Sequence, residues 1–462
     1  MRPRLVPFCA VAAIASLALP LRDSLAGSSR RVTIGSGSGH LHYPDAQATL
    51  KLQPGDTLYI AAGKYSGLSL GNLAGSAEAP ITVACDPEAL FTTPTPQPND
   101  FPNIAHVRFE NFRYESYNSS CMRITGNSHH VLFKNFHIKD ASGYCFHVYD
   151  PKKVFDGTRE STFHDFRWEN VTIDGKVNGH AITNTDYSFA SMKSVALDFE
   201  IVGCTFRRFD NTQQAFGAIC LDKCFNLRIH GCSFSDMGMA KSPIGHNICI
   251  GGSGTFTVYN NRFTRQWAND VRMFPMKLNA LGYNGPDAVC RFYNNISWEK
   301  RKYPMYEHNH VRQEDMDKWG GYLSRTASEV CFNTLYRSRR AADSGDPYCA
   351  TLVDIYGPDV TVKHNLVIEP EADAPFHPKR DYVYSLGAGP QKGLVIENNL
   401  VFRTWAAAGL VDVETFAPGE GSPARDAATG RISYITKDHY GNDRYVGAAA
   451  DVGAVEARQT PK

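Results

Sequence analysis

Short apolar–x–apolar stretches recur along this chain, each broken by a polar or small residue and then resumed. Ten copies are anchored between Phe109 and Ile396: FENFRY from Phe109, FKNFHI from Phe133, WENVTI from Trp168, IVGCTF from Ile201, IHGCSF from Ile229, VYNNRF from Val258, FYNNIS from Phe292, VCFNTL from Val330, VKHNLV from Val362 and IENNLV from Ile396. Period-two alternation predicts a strand on each side of the break. The third position is Asn in six of the ten copies and Gly in two. Both tolerate the left-handed backbone of a sharp corner. The fourth position becomes Asn in the last five copies, Asn261, Asn295, Asn333, Asn365 and Asn399, spaced 34, 38, 32 and 34 residues apart. A constant unit with variable insertions is the mark of a repeat architecture. Stacked copies would let the amides hydrogen-bond along the stack.

Both ends of the chain extend the pattern. Pro54-Gly55-Asp56-Thr57-Leu58-Tyr59-Ile60, with Gly63, Tyr65 and Gly67, has the form of an opening coil. Tyr440-Gly441-Asn442-Asp443-Arg444 and Asp451-Val452-Gly453-Ala454-Val455-Glu456 have the form of a closing segment. With the asparagine series, these stretches resemble the right-handed parallel β-helix proteins of the pectate-lyase-like superfamily. The resemblance implies an all-β chain, a single-stranded right-handed parallel β-helix of about 11–12 coils with an asparagine ladder in one corner. It covers residues 45–457, behind a flexible segment at 27–44 and a signal peptide at 1–26.

That leader is expected from Arg2 and Arg4, the apolar run Val6 to Leu19, and the small residues Ser24-Leu25-Ala26. It places the mature protein outside the cytoplasm, secreted or periplasmic, with no membrane association after cleavage. Without the leader, 45 basic residues (48 − 3) face 46 acidic ones (47 − 1), a net charge of −1. Nothing in this balance points to nucleic acid. A monomer is expected. Eleven of the 12 cysteines remain after cleavage, without metal-site spacing. Cys204 and Cys232 occupy the fourth repeat position, so the first expectation is buried thiols stacked inside the coil; as adjacent coils would also bring them within disulfide reach, they are the pair to join if export permits a disulfide. The Pro-rich stretch from Pro87 to Pro102 reads as a surface loop, and longer insertions follow Asp150, Lys277, Lys300 and Ser338.

By resemblance, the strand after the third corner floors a substrate groove. Ile182, Ile219 and Ile248 should point inward there, with Thr183, Cys220, Cys249 and Asp222 outward. Two strings resemble polygalacturonase-type hydrolases: Asn184-Thr185-Asp186, and Gly245-His246-Asn247-Ile248-Cys249-Ile250-Gly251. Register argues against a direct carry-over, because the position two before the inward Ile holds His180, Gly217 and His246 rather than paired carboxylates. β-Elimination on a uronate glycan suits the residues better. Arg272 is the expected carboxylate-binding fork. His246 is the expected base, with Lys277 and His308 completing the catalytic candidates. His180, Asp222, Trp267, Lys302, Tyr306 and Glu307 are expected to bind substrate, and Asp222 with Asp270 to be candidate Ca2+ ligands. Trp267, Trp298, Tyr303, Tyr306 and Trp319 would supply sugar-stacking faces. The partner expected is therefore a polysaccharide. Glycoside hydrolysis or uronate epimerisation in the same groove is one alternative, and a non-catalytic glycan-binding or surface-structural role is another.

Overall fold

The computed structural model describes residues 29–93, 99–175, 179–184, 191–209, 217–237, 246–266, 269–300, 304–309, 311, 313–318, 320–338, 351–371, 382–387 and 392–457. The chain winds through three long parallel sheets, each coil contributing one strand to each except the first two and the last, which contribute none to the third. Sheet I holds the anchor strands, such as Ile104–Glu110. Sheet II follows the asparagine corner, as in Arg113–Tyr117, and sheet III follows it, as in Met122–Thr125. The result is a right-handed parallel β-helix, the hand that strand twist imposes on parallel crossovers.

All ten anchors stand in one register, from Phe109 through Phe133, Trp168, Ile201, Ile229, Val258, Phe292, Val330 and Val362 to Ile396. The two repeat positions after them divide the work. The third position is left-handed in every copy, with φ between 50° and 65°, including Phe332 and His364. The fourth points inward, and its chemistry changes along the stack. Phe112 and Phe136 stack at 4.8 Å, then come Val171, Cys204 and Cys232, then the asparagines. Each asparagine Oδ1 accepts the backbone N–H and the Nδ2–H of the preceding one, at 2.8–3.1 Å throughout. The series docks onto the thiols where Cys232 N–H donates to Asn261 Oδ1 at 2.9 Å. Cys204 and Cys232 are the expected stacked buried thiols, free of any disulfide, and each donates to a main-chain carbonyl.

Two boundaries differ from expectation. The coil starts inside the segment read as flexible: Arg31–Ile34 and Ser38–Tyr43 pair with Thr57–Ile60 and Gly63–Leu70. Sheets I and II therefore run through 13 strands along the stack. The alternation there is four to six residues long and set among Gly and Ser, which hid it. The Pro-rich stretch is not simply a loop, because Ala89–Thr93 and Asp100–Pro102 are strands of sheets II and III. Asn99 ties it down: its buried amide accepts from Leu68 N–H and Tyr117 OH and donates to Cys121 O.

The closing segment folds back along sheet II. Ala417, Ile435, Val452 and Val455 pack on Ile296, Phe332, Tyr336 and Ile368. Arg444 lies fully buried, paired with Glu456 at 2.8 Å and donating to Asn294 Oδ1 at 2.6 Å. Its guanidinium sits 4.5 Å over the Phe332 ring, which rationalises a bulky residue at a left-handed corner. A separate small core of Phe155, Met192, Leu197, Phe225, Met276, Val311 and Leu323 is built from the insertions that follow sheet III. No helix among the described residues is long and apolar enough to cross a membrane.

Candidate active site

Sheet III presents one outward row across consecutive coils: Asp100, Arg123, His147, Thr183, Cys220, Cys249, Arg272, Glu307, Asp354 and Ser385. Its inward neighbours are Phe146, Ile182, Ile219, Ile248, Val271, Tyr306 and Val353, all fully buried. The alternation that packs the core thus aims the alternate residues at one surface. Two opposite charges meet at adjacent coils there. Arg272 Nε lies 3.1 Å from Glu307 Oε1, with 30% and 15% of the side chains exposed.

The pair is braced on every side. Arg272 Nη1 donates to His246 Nε2 at 3.0 Å, and the guanidinium lies 5.4 Å from the Phe274 ring. Asn309 Nδ2 donates to Glu307 Oε1 at 2.8 Å, and Asn269 Nδ2 donates to Oε2. His246 and Asn269 occupy equivalent positions in adjacent strands, two residues before the inward Ile248 and Val271. Directly beneath, inside the coil, Asp270 pairs with Lys300 at 2.7 Å and accepts from Ser297 at 2.6 Å and Asn247 at 3.3 Å. Burial pushes the Asp270 carboxyl up and the Lys300 amine down, and each is the other's counter-charge.

His246 is not the base that the sequence suggested. Burial first, then the positive charges of Arg272 and Lys300, drive its pKa down to about 3. Its Nε2 is already an acceptor for Arg272, and its Nδ1 has no partner among the described residues. It therefore acts on Arg272 as a brace. The remaining predicted residues scatter. His308 turns inward in the row of Met273 and Ile355, bonded to Ser328 Oγ at 3.0 Å. Tyr306 is core as well, also on Ser328 Oγ at 2.9 Å and stacked on Phe292. His180 is buried, with Nδ1 donating to Gly217 O at 3.0 Å. Lys277 lies on the far end of Asn269–Leu278, where that strand leaves the groove to pair antiparallel with Leu323–Arg325.

The Ca2+ reading fails on geometry. Asp270 is sealed inside the coil on Lys300, while Asp222 is buried, its backbone clamped by the Asn184 amide. Neither carboxylate belongs to a metal-competent group among the described residues. The same Asn184 also donates to Ser194 O, so the start of the Asn-Thr-Asp string is a structural clamp. Trp267 and Lys302 lie outside the described residues, as do Tyr303 and Trp319. Trp298 packs on Tyr336 and Phe416 of the closing segment, away from the groove. The aromatic ground on this face lies upstream instead, where His147 stacks with Tyr149 at 5.4 Å and meets the tilted Tyr144 ring at 4.8 Å. Asp354 was missed. It adjoins Glu307 in the row and accepts from Thr351 Oγ1 at 2.7 Å. The signal was available, because Val353-Asp354 repeats the inward–outward order of Tyr306-Glu307.

No protein-family model matches the chain, and no curated protein sequence does. Several solved structures follow a similar path. Pectate lyase Pel9A is 12% identical over 93% of this chain and 97% of its own, with a TM-score of 0.47. The PL6 family polysaccharide lyase Pedsa3628 from Pseudopedobacter saltans is 10% identical over 91% and 99%, with a TM-score of 0.42. PfbA, a surface adhesin of Streptococcus pneumoniae, is 10% identical over 76% and 84%, with a TM-score of 0.40. These likenesses carry no site residue across to this chain.

Proposed function

We propose that the protein is an exported carbohydrate-active enzyme that cleaves a uronate-containing polysaccharide along sheet III by β-elimination. The observation that carries this reading is the outward Arg272–Glu307 pair, braced by His246, Asn269 and Asn309. A uronate carboxylate must take up charge while the C5 proton leaves, and a planar guanidinium matches that group. Arg272 donates Nη1–H to His246, and its Nε, although 3.1 Å from Glu307 Oε1, makes no hydrogen bond among the described residues, which leaves N–H donors for a ligand. Glu307, paired with Arg272, is the base. The C5–H bond breaks toward Glu307, its electron pair forms C4=C5, the C4–O bond breaks, and the proton taken by Glu307 passes through water to the leaving oxygen.

One observation favours a second chemistry. Glu307 and Asp354 are outward carboxylates on adjacent coils, about 4.8 Å apart at the backbone. Two neighbouring carboxyls are the requirement for glycoside hydrolysis. Both readings use Glu307, and their products differ. A panel of acidic and neutral polysaccharides is assayed for absorbance near 235 nm and for reducing ends. β-Elimination gives both signals, while hydrolysis gives reducing ends alone. No product from any glycan with full-length protein would refute both readings and leave a binding role.

A further inference from the structure

We propose that His106, His129, His130, His164 and Asp165 form a binding site for a divalent transition-metal ion, on the outer face of sheet I at the corner leading from the groove. Three adjacent coils build it. His129 is in register with Ala105 on one side and His164 on the other. The residues that follow, His106, His130 and Asp165, are all left-handed, with φ of 52°, 53° and 59°. A left-handed residue interrupts the strand alternation, so consecutive side chains emerge on one side. His129 and His130 accordingly meet Nδ1 to Nδ1 at 2.8 Å, and His164 Nδ1 meets Asp165 Oδ2 at 2.8 Å.

His130 joins the two halves. Its ring stacks on His106 at 4.3 Å, and its Nε2 lies 3.3 Å from Asp165 Oδ2. One ligand atom from each of His106, His129 and His130 lies within 4.8 Å of the others, as does one from each of His130, His164 and Asp165. Four imidazoles and a carboxylate form the donor set preferred by Zn2+, Cu2+ and Ni2+, and a poor one for Ca2+ or Mg2+. The carboxylate side is already ordered: Arg159 Nη2 holds Asp165 and Asp198 at 2.8 and 2.7 Å, and Tyr283 OH also holds Asp198. Arg159 and Tyr283 come from the insertions that flank the groove, so the site fastens those insertions to the coil. Binding would replace the His129–His130 N–H···N contact with two nitrogen–metal bonds, the shared Nδ1 proton moving through water to the other nitrogen of its ring. Neither Arg272 nor Glu307 takes part, so the site stands apart from the proposed catalysis.

The test uses tag-free, chelator-stripped, full-length protein, titrated separately with Zn2+, Cu2+ and Ca2+ by calorimetry. The expectation is one equivalent of Zn2+ or Cu2+ bound at micromolar Kd or tighter, with no comparable Ca2+ binding. The Cu2+ complex should show nitrogen hyperfine structure in its electron paramagnetic resonance spectrum. His130→Asn keeps a residue that tolerates the left-handed backbone and should weaken binding about 100-fold. His106→Asn provides the same check should the first variant fold poorly by circular dichroism. Arg272→Ala and Cys220→Ser/Cys249→Ser should leave binding unchanged. Millimolar binding only, binding indifferent to both histidine substitutions, or binding lost with the cysteines would each overturn the proposal.

Discussion

Replacing Asn333 by Ala tests the reasoning that ties sequence to fold. In the structure Asn333 Oδ1 accepts from Asn295 N–H at 3.0 Å and Asn295 Nδ2–H at 3.1 Å. Its Nδ2 donates to Phe292 O at 3.0 Å and Asn365 Oδ1 at 3.0 Å. The residue is fully buried, so water cannot replace these partners. Truncation orphans the Asn295 backbone N–H and one N–H of the Asn295 amide. At ~1–3 kcal/mol for each buried unsatisfied group, the loss is about 4 kcal/mol. The control is Asn135→Ala. Asn135 donates to Asn111 Oδ1 and accepts from Asn170, but on the exposed face of the corner. Water replaces those bonds, so this change should cost under ~1 kcal/mol, mostly through the left-handed backbone. The readout is the urea midpoint of each variant, followed by far-ultraviolet circular dichroism and by tryptophan fluorescence. Equal losses in the two variants, or a loss below ~1 kcal/mol for Asn333→Ala, would refute the claim that the inner row carries stability.

Three further outcomes follow from the site. Arg272→Ala should lower kcat/KM by about 100-fold or more, as loss of a charge-stabilising donor does, while Glu307→Gln should lower kcat with KM little changed; unchanged turnover in either would remove that residue from the chemistry. His246 and His180 have pKa values pushed down to about 3 and about 4 from the ordinary 6.5. Below pH ~6.5 the unfolded chain takes up protons that the folded chain refuses, so stability is full above that pH and falls on acidification toward the folded values, by ~1.4 kcal/mol per pH unit for each histidine. Urea midpoints from pH 7.5 to 4.5 should show this slope, reduced in His246→Gln. Asp270→Ala should cost ~3–5 kcal/mol by removing the carboxylate that counters the buried Lys300 charge, and the double variant Asp270→Leu/Lys300→Met should recover most of it in a thermal melt.

Much of the fold was legible because a coil repeats one local problem. Each turn needs a strand, a left-handed corner and another strand, and these demands act within a few residues. Asn and Gly at the third position therefore betray the corner, and the ten anchors read off the text all share one register in sheet I, which Val83, Leu58 and Val32 extend upstream. Phe332 and His364 show the limit of that logic, since both adopt the left-handed conformation although neither type advertises it.

The candidate site was legible as a row and not as a machine. Chain pattern alone puts Arg272 and Glu307 on one face, because each follows an inward residue in its strand. His308, a catalytic candidate by sequence, stands one residue past the outward Glu307 and so turns inward, because a one-residue shift in a strand turns a side chain to the opposite face. The loss of basicity at His246 arises from burial and from Arg272 and Lys300, groups 26 and 54 positions away in the chain that stacking brings to it. The histidine group on sheet I is the extreme case. His106, His129, His130 and His164 are unremarkable in the text, where residues 24 and 35 positions apart become neighbours only through coil-on-coil stacking. Sequence determined the coil, its corners and the residues on offer at each outward position. Which of those residues meet, and with what charge, was decided by register between coils, a distance of about 4.8 Å that no stretch of sequence spells out.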